Sequence, residues 1–177
     1  MQIEISRKQI FISIIAICIL GSGGYLISPL SPYATESNAT CAERDGLTTE
    51  RFEELTKTLD EIKEKAGPLS TYDWQEQGGV AFIQIMFILN NQLAEFEPRV
   101  SPIVATINQA GLCKNNNQYS VKIKLFKWSL EGLVANLKTA SGYDIYDFPA
   151  WRNNTSKVLS NISEFEEAYG DFFTAKP

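Results

Sequence analysis

The sequence contains no histidine, and this absence removes several classes of enzyme from consideration. Ser-His-Asp and Cys-His catalysis both require an imidazole base. Ordinary zinc sites use imidazole or several thiolates, and di-iron carboxylate bundles need Glu-x-x-His pairs. We therefore predict that the protein is not an enzyme and that it has no catalytic residue, no metal site and no cofactor. The catalytic alternative is a carboxylate pair such as Asp144 and Asp147, which a chain with 21 acidic residues contains by chance.

Clusters of basic residues are scarce as well. Residues 30–177 contain 14 Lys and Arg against 20 Asp and Glu, which gives a net charge of −6. Because neutralised phosphates supply most of the affinity for nucleic acids, an acidic domain of this kind predicts no nucleic-acid partner. The same charge disfavours docking of the domain on an anionic lipid surface.

Charge is missing altogether from residues 10–27, which read IFISIIAICILGSGGYLI. Arg7 and Lys8 precede this segment, and no further Lys or Arg occurs before Arg44. The segment approaches the roughly 20 residues that a helix needs to cross a bilayer, and positive charge on one side keeps that side in the cytoplasm. We therefore predict a cytoplasmic stub at residues 1–9, a single membrane-spanning signal anchor at residues 10–27, and a periplasmic or extracellular domain beyond it.

The alternative interpretation of the same segment is a signal peptide that is cleaved, which would make the protein secreted. Small residues from Gly21 to Gly23 would suit a peptidase. However, apolar character resumes at Tyr25 and continues to Ile27, and no clean A-x-A-like site follows. These features favour the anchor, and in either case the domain crosses the membrane.

Cysteine is also rare, with three residues in the chain. Cys18 lies within the predicted anchor, whereas Cys41 and Cys113 lie in the domain region, where an oxidising compartment permits pairing. We predict a Cys41–Cys113 disulfide, which would stabilise the fold by roughly 4 kcal/mol through closure of a long loop. Two free thiols are the alternative if the domain faces a cytosol.

Residues 28–46 are rich in Pro, Ser and Thr and lack apolar periodicity, so we predict a flexible linker there. Residues 47–177 would then form the extracytoplasmic domain. Its first predicted helix covers residues 49–66, where apolar residues recur at spacings of three and four, and Gly67 with Pro68 is expected to end it.

The second predicted helix covers residues 73–97 and contains the uncharged run VAFIQIMFIL at residues 80–89. A run of this length is typical of a helix buried on most sides. We therefore predict that it forms the centre of the core, and that four of its side chains are among the most buried in the domain: Phe82, Ile85, Met86 and Leu89. The functional alternative is an apolar groove for a partner helix or a lipid tail.

The remaining domain residues predict a short helix at residues 101–111, a long helix from residue 121 to 141, and a last helix at residues 155–173. In the long helix, alternation at its start would fit a strand, but a seam at spacings of three and four favours a helix. That seam consists of Ile123, Phe126, Leu130, Leu133 and Leu137. The predicted fold is all-α, with the membrane-spanning helix followed by an antiparallel bundle of four to five helices.

Aromatic residues provide the candidate binding site. Trp128 falls on the polar side of the long helix, and residues 143–151, reading YDIYDFPAW, contain five aromatic rings. Aromatic side chains dominate binding hot spots, so we predict that a protein partner contacts Trp128, Tyr143, Tyr146, Phe148 and Trp151. The alternative is structural, with the loop as a lid on the core and Trp128 packed beneath a loop.

These features together predict a non-enzymatic, membrane-anchored envelope protein whose helical domain binds another protein. It would act as an accessory subunit of a membrane complex, or as an inhibitor or immunity protein. The alternative is an extracytoplasmic sensor module that binds a small ligand between its helices.

Overall fold

The structure is a computed structural model, and it describes residues 37–73, 79–111, 113, 116–144, 146–170 and 172–173. These residues belong to one compact unit, residues 36–177. The predicted stub at residues 1–9 and the predicted anchor at residues 10–27 lie outside them. None of the helices within the described ranges combines the length and the apolar character that crossing a membrane requires.

The described residues form helices and no strand, which confirms the all-α prediction for this part of the chain. Five of the helices have 13 residues or more, and one has seven. In chain order they are α1 (Asn38–Arg44), α2 (Thr49–Thr71), α3 (Val80–Ala94), α4 (Glu97–Gln109), α5 (Asn117–Ala140) and α6 (Phe148–Tyr169).

The long helices pack side by side as a bundle. α2 lies between α6 and the consecutive helices α3 and α4, and α5 contacts α6 and α4 from the other side. The polar contacts give the directions: Arg99 reaches Glu61 at 2.6 Å, whereas Arg51 reaches Thr106 at 3.4 Å, so α4 runs antiparallel to α2. Asn136 of α5 donates to Asn161 of α6 at 3.0 Å, whereas Thr139 donates to Asn154 at 3.5 Å, so α6 runs antiparallel to α5.

An aromatic cluster fills the centre of one half of the bundle. The ring of Phe126 lies 5.5 Å from that of Phe52, 5.1 Å from that of Phe165 and 4.9 Å from that of Phe172, measured between centroids. The predicted seam of α5 points into this core, and all five of its side chains are buried. The heptad spacing therefore predicted the inner face of α5 correctly.

The central position predicted for the uncharged helix is wrong. Met86 is buried as predicted and Leu89 is half-buried, but Ile85 and Ile88 of α3 are exposed. The side chain of Phe82 lies outside the described set. The reason is the bundle geometry: α3 packs against α2 and α5 on its inner side, and none of the described helices covers its outer side.

Two helices extend past their predicted limits at a proline, α2 at its end and α4 at its start, whereas α5 and α6 begin before their predicted first residues. α2 continues through Gly67 and Pro68 to Thr71, because Leu69 is buried in the core and the hydroxyl of Ser70 donates to the Gly67 carbonyl at 2.8 Å. α4 begins at Glu97 rather than at residue 101, with Pro98 in its first turn, where the missing N–H costs nothing.

The linker predicted to reach residue 46 instead contains α1. The hydroxyl oxygen of Ser37 accepts from the backbone N–H of Thr40 at 3.2 Å and caps the helix. Asn38 is buried, and its side chain donates to the Phe172 carbonyl at 3.1 Å. Residues from Ser37 onward are thus part of the folded domain, because their polar groups are paired with the bundle.

Candidate interaction surface

The two domain cysteines meet at the end of the bundle where α1 lies. Cys41 of α1 and Cys113, between α4 and α5, are bonded as predicted, with 5.7 Å between their Cα atoms, a separation typical of a disulfide. Both side chains are buried. The bond therefore holds α1 against the start of α5, which is a structural role.

A hydrogen-bond network around Asp45, which is half-buried, supports the same end. The hydroxyl of Tyr119 donates to Oδ2 of Asp45 at 2.6 Å, and the backbone N–H of Gly111 donates to the same oxygen at 3.1 Å. Burial, together with the hydrogen bond to Asp45, raises the pKa of Tyr119 far above its ordinary value. The phenol is therefore neutral and serves as a fixed donor.

The aromatic segment predicted as a binding loop divides into two parts. Trp151 is fully buried, and its ring lies 6.1 Å from that of Phe148 in an edge-on contact. Tyr143 is half-buried against the core, whereas Tyr146 is 71% exposed. A fully buried ring is not accessible to a partner, so Trp151 is excluded, and Tyr143, Tyr146 and Phe148 remain the candidates of this segment.

The second part of that segment is the first turn of α6, which the sequence analysis placed seven residues later. Asp147 caps the helix by accepting from the backbone N–H of Ala150 at 3.1 Å, and Pro149 occupies the first turn. An Asp followed closely by Pro is a sequence signal for a helix start. That signal was present, but the density of aromatic residues favoured a loop.

Trp128 lies on the outer side of α5, opposite the seam as predicted, and is 66% exposed rather than packed beneath a loop. Val121 and Leu125 lie seven and three residues before it and are also exposed, so the three side chains share one side of α5. We call these three residues the outer stripe of α5. Lys124 and Lys127 are exposed beside it, and Lys127 pairs with Glu131 of the same helix at 3.9 Å.

A second apolar surface lies on α3. Four of its described large apolar side chains are exposed, and they form what we call the α3 face: Val80, Ile85, Phe87 and Ile88. The helix carries no charged residue over its 15 positions. Sequence reasoning assigned this run to the core because length and composition do not reveal how many sides of a helix are covered.

A cleft of about 310 Å³ opens where the C-terminal end of α2, α3 and the first turn of α6 meet. Leu69, Met86, Phe148 and Pro149 give it an apolar wall, and Arg152 stands on its polar side. Its volume is at the lower limit for a small-molecule site.

No protein-family model, no curated protein and no solved structure matches this chain. The features of this chain that indicate function are therefore the exposed apolar side chains of α3 and α5 and the cleft.

Proposed function

We propose that this protein is a non-enzymatic, single-pass membrane protein whose extracytoplasmic bundle binds another protein. One observation carries the proposal. Seven of the eight exposed large apolar side chains of the described residues lie on two helices, α3 and α5, and Tyr146 is the eighth. Within the described ranges, the exposed positions of α2 and α6 are polar apart from Pro68 and Pro149.

The physical reason concerns the cost of leaving apolar area in water. Burial contributes about 25 cal/mol for each Å² of apolar surface, and large contiguous apolar patches on soluble domains mark interaction sites. The α3 face has no charge of its own to desolvate. The outer stripe of α5 has Trp128 at its end, and Trp is the residue type most enriched in binding hot spots.

The topology in this proposal rests on the sequence of residues 10–27 and on the basic residues before them. The Cys41–Cys113 disulfide supports it, because such bonds persist in oxidising compartments. An anchored, disulfide-bonded bundle with uncovered apolar helices suits an accessory subunit of a membrane complex, or an inhibitor that covers part of its target.

Two surface variants of the full chain test the proposal, each purified in mild detergent from the cells that make it. One replaces Ile85 and Ile88 with Ser, and the other replaces Val121 and Trp128 with Ser. A matched control on the exposed side of α6 replaces Lys157 and Glu167 with Ser. We expect a protein that co-purifies in stoichiometric amount with the wild type and the control to be lost from at least one surface variant, at unchanged thermal stability.

The proposal fails if the wild type recovers no stoichiometric protein, or if both surface variants retain the partner as well as the control does. Thermal unfolding of every variant separates loss of the partner from loss of the fold, because exposed positions away from buried contacts change stability little.

The cleft favours a second candidate function, a sensor module for a small extracytoplasmic ligand. An apolar wall with a guanidinium on one side matches an apolar molecule with an anionic group. Native mass spectrometry of the full chain would show a bound small molecule, and Met86→Trp, which fills the cleft, would abolish it. A wild-type chain free of bound small molecules would count against this function.

A further inference from the structure

We infer that the outer stripe of α5 docks an acidic amphipathic helix of the partner protein. This inference rests on the proposed function and names the surface and the chemistry of the partner. The stripe consists of Val121, Leu125 and Trp128, and its rim includes Lys124 and Lys127.

The spacing of the stripe indicates a helical partner. Steps of four and three residues place the three side chains in one line along α5, over about two turns. Such a line is what a second helix covers when its own apolar residues recur at the same spacing. The inner seam of α5 is packed against the core, so the stripe is held on a rigid element and loses little entropy on binding.

The charges at the rim indicate that the partner is acidic. α5 contains four Lys and one Glu, although residues 30–177 have a net charge of −6. Within the described part of the chain, no acidic side chain forms an ion pair with Lys124, and Lys127 is paired with Glu131 at 3.9 Å. A partner helix with Glu or Asp beside its apolar line therefore complements this surface better than any other charge pattern.

The same charges argue against a second copy of this chain as the occupant. A two-fold interface would place the stripe of one copy on the stripe of the other. The lysine rims would then meet each other, and like charges held close together destabilise such a contact. An anionic lipid surface suits the lysines but not the domain, whose net negative charge it repels.

Site-specific photocrosslinking in the cells that make the full chain tests this inference. A photoreactive benzoylphenylalanine replaces Trp128, and a control chain carries it at Ser163 on the exposed side of α6. We expect the probe at residue 128 to crosslink to another protein, at a segment whose apolar residues recur every three to four positions between acidic ones. The control is expected to give no such product.

Charge variants sharpen the test. Lys124→Glu with Lys127→Glu should lower the yield of the residue 128 crosslink about tenfold or more, because like charges would then face each other. Lys124→Arg with Lys127→Arg should retain it. Unchanged yield in the Glu variant would overturn the inference, as would a crosslinked segment without acidic residues.

The remaining outcomes are also decisive. A crosslink to a second copy of the chain, or to phospholipid, would overturn the inference in favour of that occupant. If a partner co-purifies but crosslinks from Ile88 on the α3 face and not from residue 128, this inference is wrong while the proposed function stands. If neither position crosslinks and no partner co-purifies, both are wrong.

Discussion

The two faces of α5 have the same apolar spacing and opposite surroundings. The inner seam, which includes Phe126 and Leu130, has side chains at most 8% exposed. The outer stripe, from Val121 to Trp128, has side chains between 43% and 66% exposed. Periodicity therefore establishes that a helix has an apolar side, whereas the neighbouring helices determine whether that side is covered. α3, α4 and α6 pack against α5, the ring of Phe52 on α2 reaches Phe126 of the inner seam, and the outer stripe remains exposed.

α3 shows the same contrast within one turn. Met86 is 3% exposed and contacts the core, whereas Ile88, two positions later, is 54% exposed. An uncharged helix at a corner of a bundle can thus bury one side and present the other. If this comparison is correct, substitutions on the inner sides reduce stability, and substitutions on the outer sides reduce binding.

The largest expected effect is at the centre of the inner seam. Phe126→Ala should lower the free energy of unfolding by about 3–5 kcal/mol, because the lost ring contacts Phe52, Phe165 and Phe172 and leaves a cavity among them. Chemical denaturation of the full chain in detergent measures this. A loss below about 1 kcal/mol would mean that the aromatic cluster is loosely packed and that the two faces of α5 differ less than the structure indicates.

The disulfide at the start of α5 comes next. Cys41→Ala with Cys113→Ala should cost roughly 4 kcal/mol, since the bond closes a loop with a sequence separation of 72 residues. Thermal unfolding with and without reductant measures it, and Cys18→Ala is the matched control because it lies in the predicted anchor. Equal melting temperatures for the wild type and the double variant would contradict a structural role for the bond.

The sequence alone predicted those features of the fold that a residue pattern specifies directly, such as apolar spacing or a small number of cysteines. The seam of α5 and the pairing of Cys41 with Cys113 followed from spacing and from the small number of cysteines. α1 was missed because its residues are mostly polar, and they are ordered by contacts with Asn116 and Phe172 from distant parts of the chain. Contacts of that kind leave no periodic pattern.

The candidate site was also predicted only in part, because apolar spacing shows which side of a helix faces the core but not where a helix begins or which neighbours cover it. Trp128 was placed correctly on the outer side of α5, because the seam fixes where the opposite side lies. Trp151 was predicted as accessible, but it turns inward because α6 begins at Phe148 and carries the ring into the core. The exposed α3 face corresponds to the alternative rather than to the predicted core position, since nothing in an uncharged run shows how many of its sides other helices will cover.

A smaller effect is expected at Tyr119, which begins the buried side of α5. Tyr119→Phe should lower the free energy of unfolding by about 2 kcal/mol at neutral pH, because the Asp45 carboxylate loses a charge-assisted donor. Burial raises the pKa of this phenol in the folded state. The neutral form is therefore the folded form, so its contribution is full below the unfolded pKa of about 10 and is lost as the pH rises above it.

Urea melts of the wild type and of Tyr119→Phe at neutral and strongly alkaline pH test both statements. The wild type should lose stability more steeply above pH of about 10 than the variant, which has one less ionisable phenol. Parallel pH dependence of the two proteins would show that Tyr119 is already accessible to solvent. Burial also raises the pKa of Tyr169. Because Tyr169 is present in both proteins, its contribution to the pH dependence of stability is the same in each.

The smallest expected effect on stability is on the outer stripe. Trp128→Ala should change the free energy of unfolding by less than about 0.5 kcal/mol, because the exposed ring makes few contacts that folding would lose. It lies two positions after Phe126, so the pair of Ala variants compares the two faces of one helix turn under identical conditions. A loss near that of Phe126→Ala would mean that Trp128 is covered within the full chain itself. In that case the outer stripe would already be occupied, and it would not be available to a partner helix.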